Sequence, residues 1–128
     1  MKEKALPLVS FEQSERLKEL GFDWECYLAY RIADNEFGKK SKEPVSYQGK
    51  ALEDYALAPT VALALMWFRN EKDERFDVRM FGFYDYEYMI FRRGVIMSSY
   101  RRYPDHEEAE SAILDLLIER ELEKMKEE

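Results

Sequence analysis

The sequence predicts an α+β fold, a three- to four-stranded, largely antiparallel sheet packed by helices in the order α-β-α-β-β-β-α. Three observations carry that prediction. Two helical segments bear apolar residues at helical spacing, and two of the helix starts carry capping residues. Between the second and third helices lie three alternating, aromatic-rich runs separated by short turn signals. The chain has 128 residues and is 46% hydrophobic and 15% aromatic, which is enough apolar mass for one domain with a real core. It reads as a single domain over 1–128, with a flexible loop at about 34–50.

The first element is a helix over 11–20. Ser10 can cap its N-terminus and Gln13 holds the capping-box position. Leu17 and Leu20 share a face, Gly21 offers the left-handed residue that ends many helices, and Phe22 stands where the closing hydrophobic contact falls. Residues 26–33 alternate Cys26, Leu28, Tyr30 and Ile32 with Tyr27, Ala29 and Arg31, a well-covered strand. Gly38, Pro44, Gly49 and the Lys39-Lys40-Ser41-Lys42 run break the pattern into a solvated loop. A short helical turn is expected over 51–57 through Leu52, Tyr55 and Ala56.

Pro59 fits the first turn of the second helix. Val61, Ala64, Leu65 and Phe68 form one stripe, and Leu63, Met66 and Trp67 a second, so this helix is expected to be buried on most sides. Strands follow near 76–82, 86–92 and 95–101. A tight turn at Arg93-Gly94 sets Arg92 against Val95 and, if the register continues, Asp85 against Arg102. The last helix starts with Asp105 as cap and Glu108 in the capping-box position, with Glu107 and Glu110 near the positive dipole end. Ala109, Ala112, Ile113, Leu116 and Leu117 make its inward stripe. Leu114, Ile118, Leu122 and Met125 make another, and a pair of exposed apolar residues at its end, Leu122 and Met125, is a candidate self-association contact between two copies. Glu119, Arg120, Glu121, Glu123 and Lys124 read as flanking surface charges around that contact.

Ala58-Pro59-Thr60 opening an apolar helix that ends Trp67-Phe68-Arg69, the Tyr-rich hairpin, and Tyr103-Pro104-Asp105-His106-Glu107-Glu108-Ala109 together resemble a group of small proteins of gut anaerobic bacteria and their phages. Ser10-Phe11-Glu12-Gln13 with Leu17 to Phe22 adds to the resemblance, which covers most of the chain outside the loop at 34–50. These motifs are caps and core aromatics, and no activity is known for the group. The resemblance therefore implies no functional residue.

Composition narrows the function classes. The net charge is −7, but residues 104–128 carry ten acids against three bases while residues 75–103 carry six arginines against three acids. One cysteine and one histidine do not make a structural zinc site. Neither a calcium-loop nor a phosphate-loop motif is present, and nothing ties Ser98-Ser99 to His106 as a nucleophile and base. Catalytic, cofactor and metal residues are therefore expected to be none, and cofactors none. The lone Cys26 reads as a small buried hydrophobe. No run reaches the ~18 apolar residues of a spanning helix, and the Met1-Lys2-Glu3-Lys4 start lacks a signal-peptide core, so the expected location is cytoplasmic, with no membrane partner.

Two surfaces remain as candidates. Arg79, Arg92, Arg93, Arg101 and Arg102 interleave with Tyr86, Tyr88, Tyr100 and Tyr103, a composition that suits a protein partner or unpaired bases. The order of residues 59–126 also resembles the double-stranded-RNA-binding fold in topology, although Asp105, Glu107, Glu108 and Glu110 would repel phosphate where such domains are basic. The sequence-level expectation is a non-enzymatic protein-interaction module of bacterial or phage origin. The alternatives are a nucleic-acid-associated domain using the Arg/Tyr face, or an acidic inhibitor of a protein with a basic groove.

Overall fold

The computed structural model describes residues 7–32, 43–47, 52–81, 85–92, 95–98 and 102–127. The elements are α1 (Phe11–Glu19), β1 (Leu28–Arg31), β2 (Val45–Ser46), a 3-10 turn (Leu52–Asp54), β3 (Tyr55–Leu57), α2 (Val61–Glu71), β4 (Arg75–Phe81), β5 (Asp85–Arg92), β6 (Val95–Ser98) and α3 (His106–Glu127). The class is α+β and the strands pair antiparallel. The strands form two three-stranded sheets, ordered β2-β1-β3 and β4-β5-β6, in place of the single sheet expected. The second sheet is the one that the aromatic runs announced. The first arises because Ala29, Tyr30 and Arg31 pair with Leu57, Ala56 and Tyr55, while Leu28 and Ala29 pair with Ser46 and Val45.

That pairing corrects two expectations. Residues 45–46 are a strand within the segment expected to be loop, and the helical turn expected over 51–57 gives way to β3 after Asp54. The rest of the expected loop, 34–42 and 48–50, lies outside the described residues. β3 is stapled to α1: buried Ser14 donates its hydroxyl to the Leu57 carbonyl at 2.7 Å, and Lys18 Nζ donates to the Tyr55 carbonyl at 3.0 Å.

Local chemistry explains the helix ends. The Ser10 N–H donates to Gln13 Oε1 at 2.8 Å and the Gln13 N–H to Ser10 Oγ at 3.1 Å, a complete capping box. At the other end the Phe22 N–H reaches the Leu17 carbonyl and the Gly21 N–H the Lys18 carbonyl, both at 3.0 Å. Gly21 takes φ 90°, a conformation that a Cβ disfavours. In α2 the cap is Thr60, whose Oγ1 accepts the Leu63 N–H at 3.1 Å. Pro59 therefore sits before the helix rather than in its first turn, with its carbonyl accepting the Val9 N–H. In α3 the Glu108 N–H donates to Asp105 Oδ1 at 2.7 Å, as the spacing predicts.

The main core gathers residues from all three helices and both sheets. Val9, Leu17, Phe68, Ile113, Leu114, Leu117 and Ile118 are fully buried, and Trp67 packs edge-on between Phe22 and Phe68 with centroids 5.4 and 5.1 Å apart. α2 is buried through Val61, Ala64, Leu65, Trp67 and Phe68, but Met66 of the expected second stripe is 50% exposed. Both inner stripes of α3 are covered at Ile113, Leu117, Leu114 and Ile118. α1 covers the second, through fully buried Leu17 and through Gln13, whose Nε2 donates to Asp115 Oδ1 at 2.8 Å.

In the second sheet Arg92 pairs with Val95 as expected, and the register runs on to Met89 opposite Ser98. It does not continue to Asp85 opposite Arg102. Tyr86 instead exchanges two 2.8 Å backbone hydrogen bonds with Tyr103, so two more residues lie between Ser98 and Tyr103 than a regular ladder holds. The slip lays the Tyr103 ring over Tyr88, with centroids 6.0 Å apart and planes 26° apart, and the stacking favours the shifted register.

Candidate functional site

Where β1 begins, beside the start of α2, the chain leaves a groove of about 280 Å³. Leu8, Cys26, Leu28, Ala58 and Leu63 line it together with Glu25, Pro59 and Thr60, and Tyr27 stands at its lip. The alternation of β1 explains the arrangement. Tyr30 goes under α1 and the 7–9 segment, its ring edge-on to Phe11 and its hydroxyl donating to the Val9 carbonyl at 2.8 Å. Tyr27 is left pointing out and is 90% exposed, although its carbonyl is held by the Tyr47 N–H at 2.9 Å. The groove floor stays open because the Leu8–Thr60 bridge and the Val61 N–H to Pro7 carbonyl bond hold the 7–9 segment against the start of α2.

Cys26 lines this groove as a half-buried thiol whose Sγ–H donates to the Trp24 carbonyl at 3.3 Å. Burial, and then the negative charge of Glu25, push its pKa from 9.0 up to about 11. The thiol is therefore protonated near neutrality, which disfavours nucleophilic attack. It packs partly against the core, in keeping with the hydrophobe that the sequence predicts.

The expected Arg/Tyr face is partly divided between two uses. Tyr86 and Tyr88 lie on the same side of β5 as buried Ile90, toward α3. Both are half-buried, Tyr86 meeting the His106 ring edge-on at 5.5 Å and Tyr88 stacking on Tyr103. Arg102 is exposed. Arg79 holds the register position opposite Glu87, and Arg92 the one opposite Val95. Arg93, Tyr100 and Arg101 lie outside the described residues. His106 is an exposed residue in the first turn of α3, 2.9 Å from Glu110. Of the candidate self-association pair, Leu122 packs partly against the core and lines a charged groove between α1 and α3, whereas Met125 is 50% exposed.

A further cluster escaped the sequence reading. Glu74, just before β4, and Glu121, on α3, are both buried, at 6% and 8% exposure. Lys124 Nζ lies 3.0 Å from Glu121 and 3.5 Å from Glu74, and Arg120 Nη1 lies 3.8 Å from Glu74. Burial and hydrogen bonding to Glu121 raise the Glu74 pKa, against the lowering effect of Arg120 and Lys124. Glu121 was expected at the surface. The turn after α2 reverses its fate: Asp73 takes φ 51°, and the Glu74 N–H caps the Phe68 carbonyl at 3.1 Å, which carries Glu74 in against α3. A long-range contact of this kind leaves no periodic signal in sequence. Chemically it is an ion-pair and carboxyl latch between the α2–β4 turn and the end of α3. Among the described residues no group of three metal-ligating side chains occurs, and no helix is long and apolar enough to cross a membrane.

The chain matches no family model, no curated protein and no solved structure. What the site does must be argued from its own geometry.

Proposed function

We propose that this chain is a non-catalytic protein-interaction module that grips an apolar segment of a partner protein through the groove beside Tyr27. The observation that carries the reading is a tyrosine 90% exposed at the lip of an almost wholly apolar groove. An exposed aromatic of this kind presents a large, stiff contact area at small entropic cost, which is why tyrosine leads interface compositions. At about 280 Å³ the groove is smaller than the ~300–1,000 Å³ usual for enclosing a small molecule. It suits an inserted side chain or two, with Tyr27 closing over them.

The nucleic-acid alternative draws less support, because the Tyr86 and Tyr88 rings are engaged within the chain by His106 and Tyr103 and stacking on bases needs free ring faces. A photocrosslinking residue placed at Tyr27, with capture from a native lysate and mass spectrometry, tests the proposal. Capture should be insensitive to nuclease, should yield the same protein repeatedly, and should be lost in Leu63→Glu. Crosslinks that vanish with nuclease, or that persist unchanged when Leu63→Glu fills the groove with charge, would overturn it.

A further inference from the structure

We infer that the free edge of β4 pairs with the same edge of a second copy of this chain, joining two three-stranded sheets into one of six strands. This surface is separate from the Tyr27 groove. β4 is an outer strand of the sheet order β4-β5-β6, and among the described residues no strand lies beyond it. Which of its backbone groups face outward follows from β5. Tyr86 exchanges both of its hydrogen bonds with Tyr103 on the β6 side, so in a regular strand the even-numbered residues of β5 turn that way and the odd-numbered ones turn toward β4. The pairs Phe91–Arg75, Met89–Asp77 and Glu87–Arg79 are then the hydrogen-bonded pairs. That leaves the N–H and C=O of Phe76, Val78 and Met80 directed outward.

One of these outward groups is already held by a stand-in. The Val78 N–H donates to the carboxylate of its own neighbour, Asp77, at 2.9 Å and in an exposed setting. A side chain can satisfy an edge N–H in the single chain and give it up when another strand arrives, since the exchange replaces one hydrogen bond with another.

The charges on β4 suit a second copy, and charge together with strand overlap selects one register. A two-fold at Phe76 would also set Arg75 against Asp77 of the partner subunit, but it would pair only residues 75–77 of the strand. Antiparallel pairing about a two-fold axis at Val78 sets Val78 against Val78 of the partner subunit and Phe76 against Met80 of the partner subunit. It also sets Asp77 against Arg79 of the partner subunit, twice by symmetry. The Asp77 and Arg79 positions are the non-hydrogen-bonded ones at this edge, where facing side chains approach most closely. A two-fold at Asp77 would bring two aspartates together, and one at Arg79 would bring two arginines together, so charge rejects both neighbouring registers. The strand is thus self-complementary in hydrogen bonding and in charge, which is what an isologous contact demands. Little apolar surface is buried along a strand edge, so the association is expected to be weak and visible at high protein concentration.

Sedimentation velocity on the full chain, from about ten to several hundred micromolar, tests this. The wild type should shift from monomer toward dimer. Asp77→Arg, which places arginines across from arginines, should stay monomeric while keeping its circular dichroism spectrum and urea midpoint. Asp77→Arg combined with Arg79→Asp restores opposite charges across the two-fold and should bring the dimer back. Leu122→Glu with Met125→Glu should leave it intact. A wild type that remains monomeric throughout overturns the inference. So does a dimer that survives Asp77→Arg, a folded charge-swapped variant that stays monomeric, or a dimer abolished by the Leu122 and Met125 changes.

Discussion

Gln13 serves two elements at once, and its replacement by alanine should cost about 2–4 kcal/mol. Its Oε1 accepts the Ser10 N–H at 2.8 Å, closing the capping box of α1. Its Nε2 donates to Asp115 Oδ1 at 2.8 Å, with longer contacts to Ser111 Oγ at 3.3 Å and the Ser111 carbonyl at 3.4 Å. The side chain is 4% exposed. A cap hydrogen bond contributes ~0.5–1.5 kcal/mol net and a hydrogen bond to a charged acceptor ~1.5–3. Ser10 and Asp115 lie at the surface, so water can reach both after truncation, which keeps the loss near the sum and below an orphaned-group penalty. Gln13→Glu makes the sharper test. It sets a carboxylate against the Asp115 carboxylate, so the new acid titrates above its usual value in the folded chain. By linkage, a raised carboxyl contributes stability below its unfolded pKa and loses it as pH rises through the folded one. The variant should therefore unfold at lower urea than wild type at pH 7 and recover much of the difference at pH 4. An alanine loss under ~0.5 kcal/mol, or a glutamate variant indifferent to pH, would refute the assignment of Gln13 as the α1–α3 staple.

Phe68→Ala should lose about 3–5 kcal/mol in a urea melt, the range for truncating a fully buried aromatic; a loss under ~1 kcal/mol would mean that α2 is not the core helix. Cys26, with its pKa near 11, should alkylate slowly at pH 7–8 and accelerate only above about pH 10, and full labelling within minutes at neutral pH would contradict its burial. Glu74 has its pKa raised above the ordinary 4.5, so its stabilising contribution is present below that pH and is lost as pH rises through the folded value. Glu74→Gln, which fixes the neutral form, should flatten the fall in melting temperature from pH 4.5 toward neutrality, and parallel curves for the two proteins would remove the carboxyl latch.

The elements that could be read from sequence are those whose cause is local. Ser10 with Gln13 and Asp105 with Glu108 are contacts over three residues, and the spacing alone predicts them. Gly21 and Phe22 close α1 for the same reason. β4, β5 and the Arg92–Val95 pairing follow from alternation and a short turn. What sequence could not place was non-local. Val45–Ser46 and Tyr55–Leu57 are two and three residues long, too short to show a period, and they become strands because β1 offers both of its edges. Tyr103 leaves the extrapolated register by two residues, bridging Tyr86 and stacking on Tyr88, and no feature of the turn signals in sequence announces that slip.

The candidate site divides along the same line. Composition located arginine and tyrosine in one stretch of chain, but composition does not say which side of a strand a residue takes. Alternation about buried Ile90 turns Tyr86 and Tyr88 inward toward α3, and the slip to Tyr103 gives their rings partners there. Tyr27 drew no notice because it alternates with Cys26 and Leu28 like any residue of a covered strand. Its exposure depends on β1 starting at Leu28, one residue later, so that Tyr27 falls at the rim instead of within the sheet. A signal for it did exist. A tyrosine set among apolar neighbours, two residues past Glu25 and just before a strand, has a ring that can be either core or contact. The pairing of Leu28 with Ser46 and the Ala58 N–H bond to the Leu28 carbonyl fix the strand's end and leave the ring exposed. The same pairing holds Ala58 beside Leu28, and Thr60 caps the helix that carries Leu63, so the groove wall is assembled from three separate stretches of chain before any partner arrives. A wall built that way is preorganised, which lowers the ordering cost of association and is what the proposed grip on a partner would require of a groove this small.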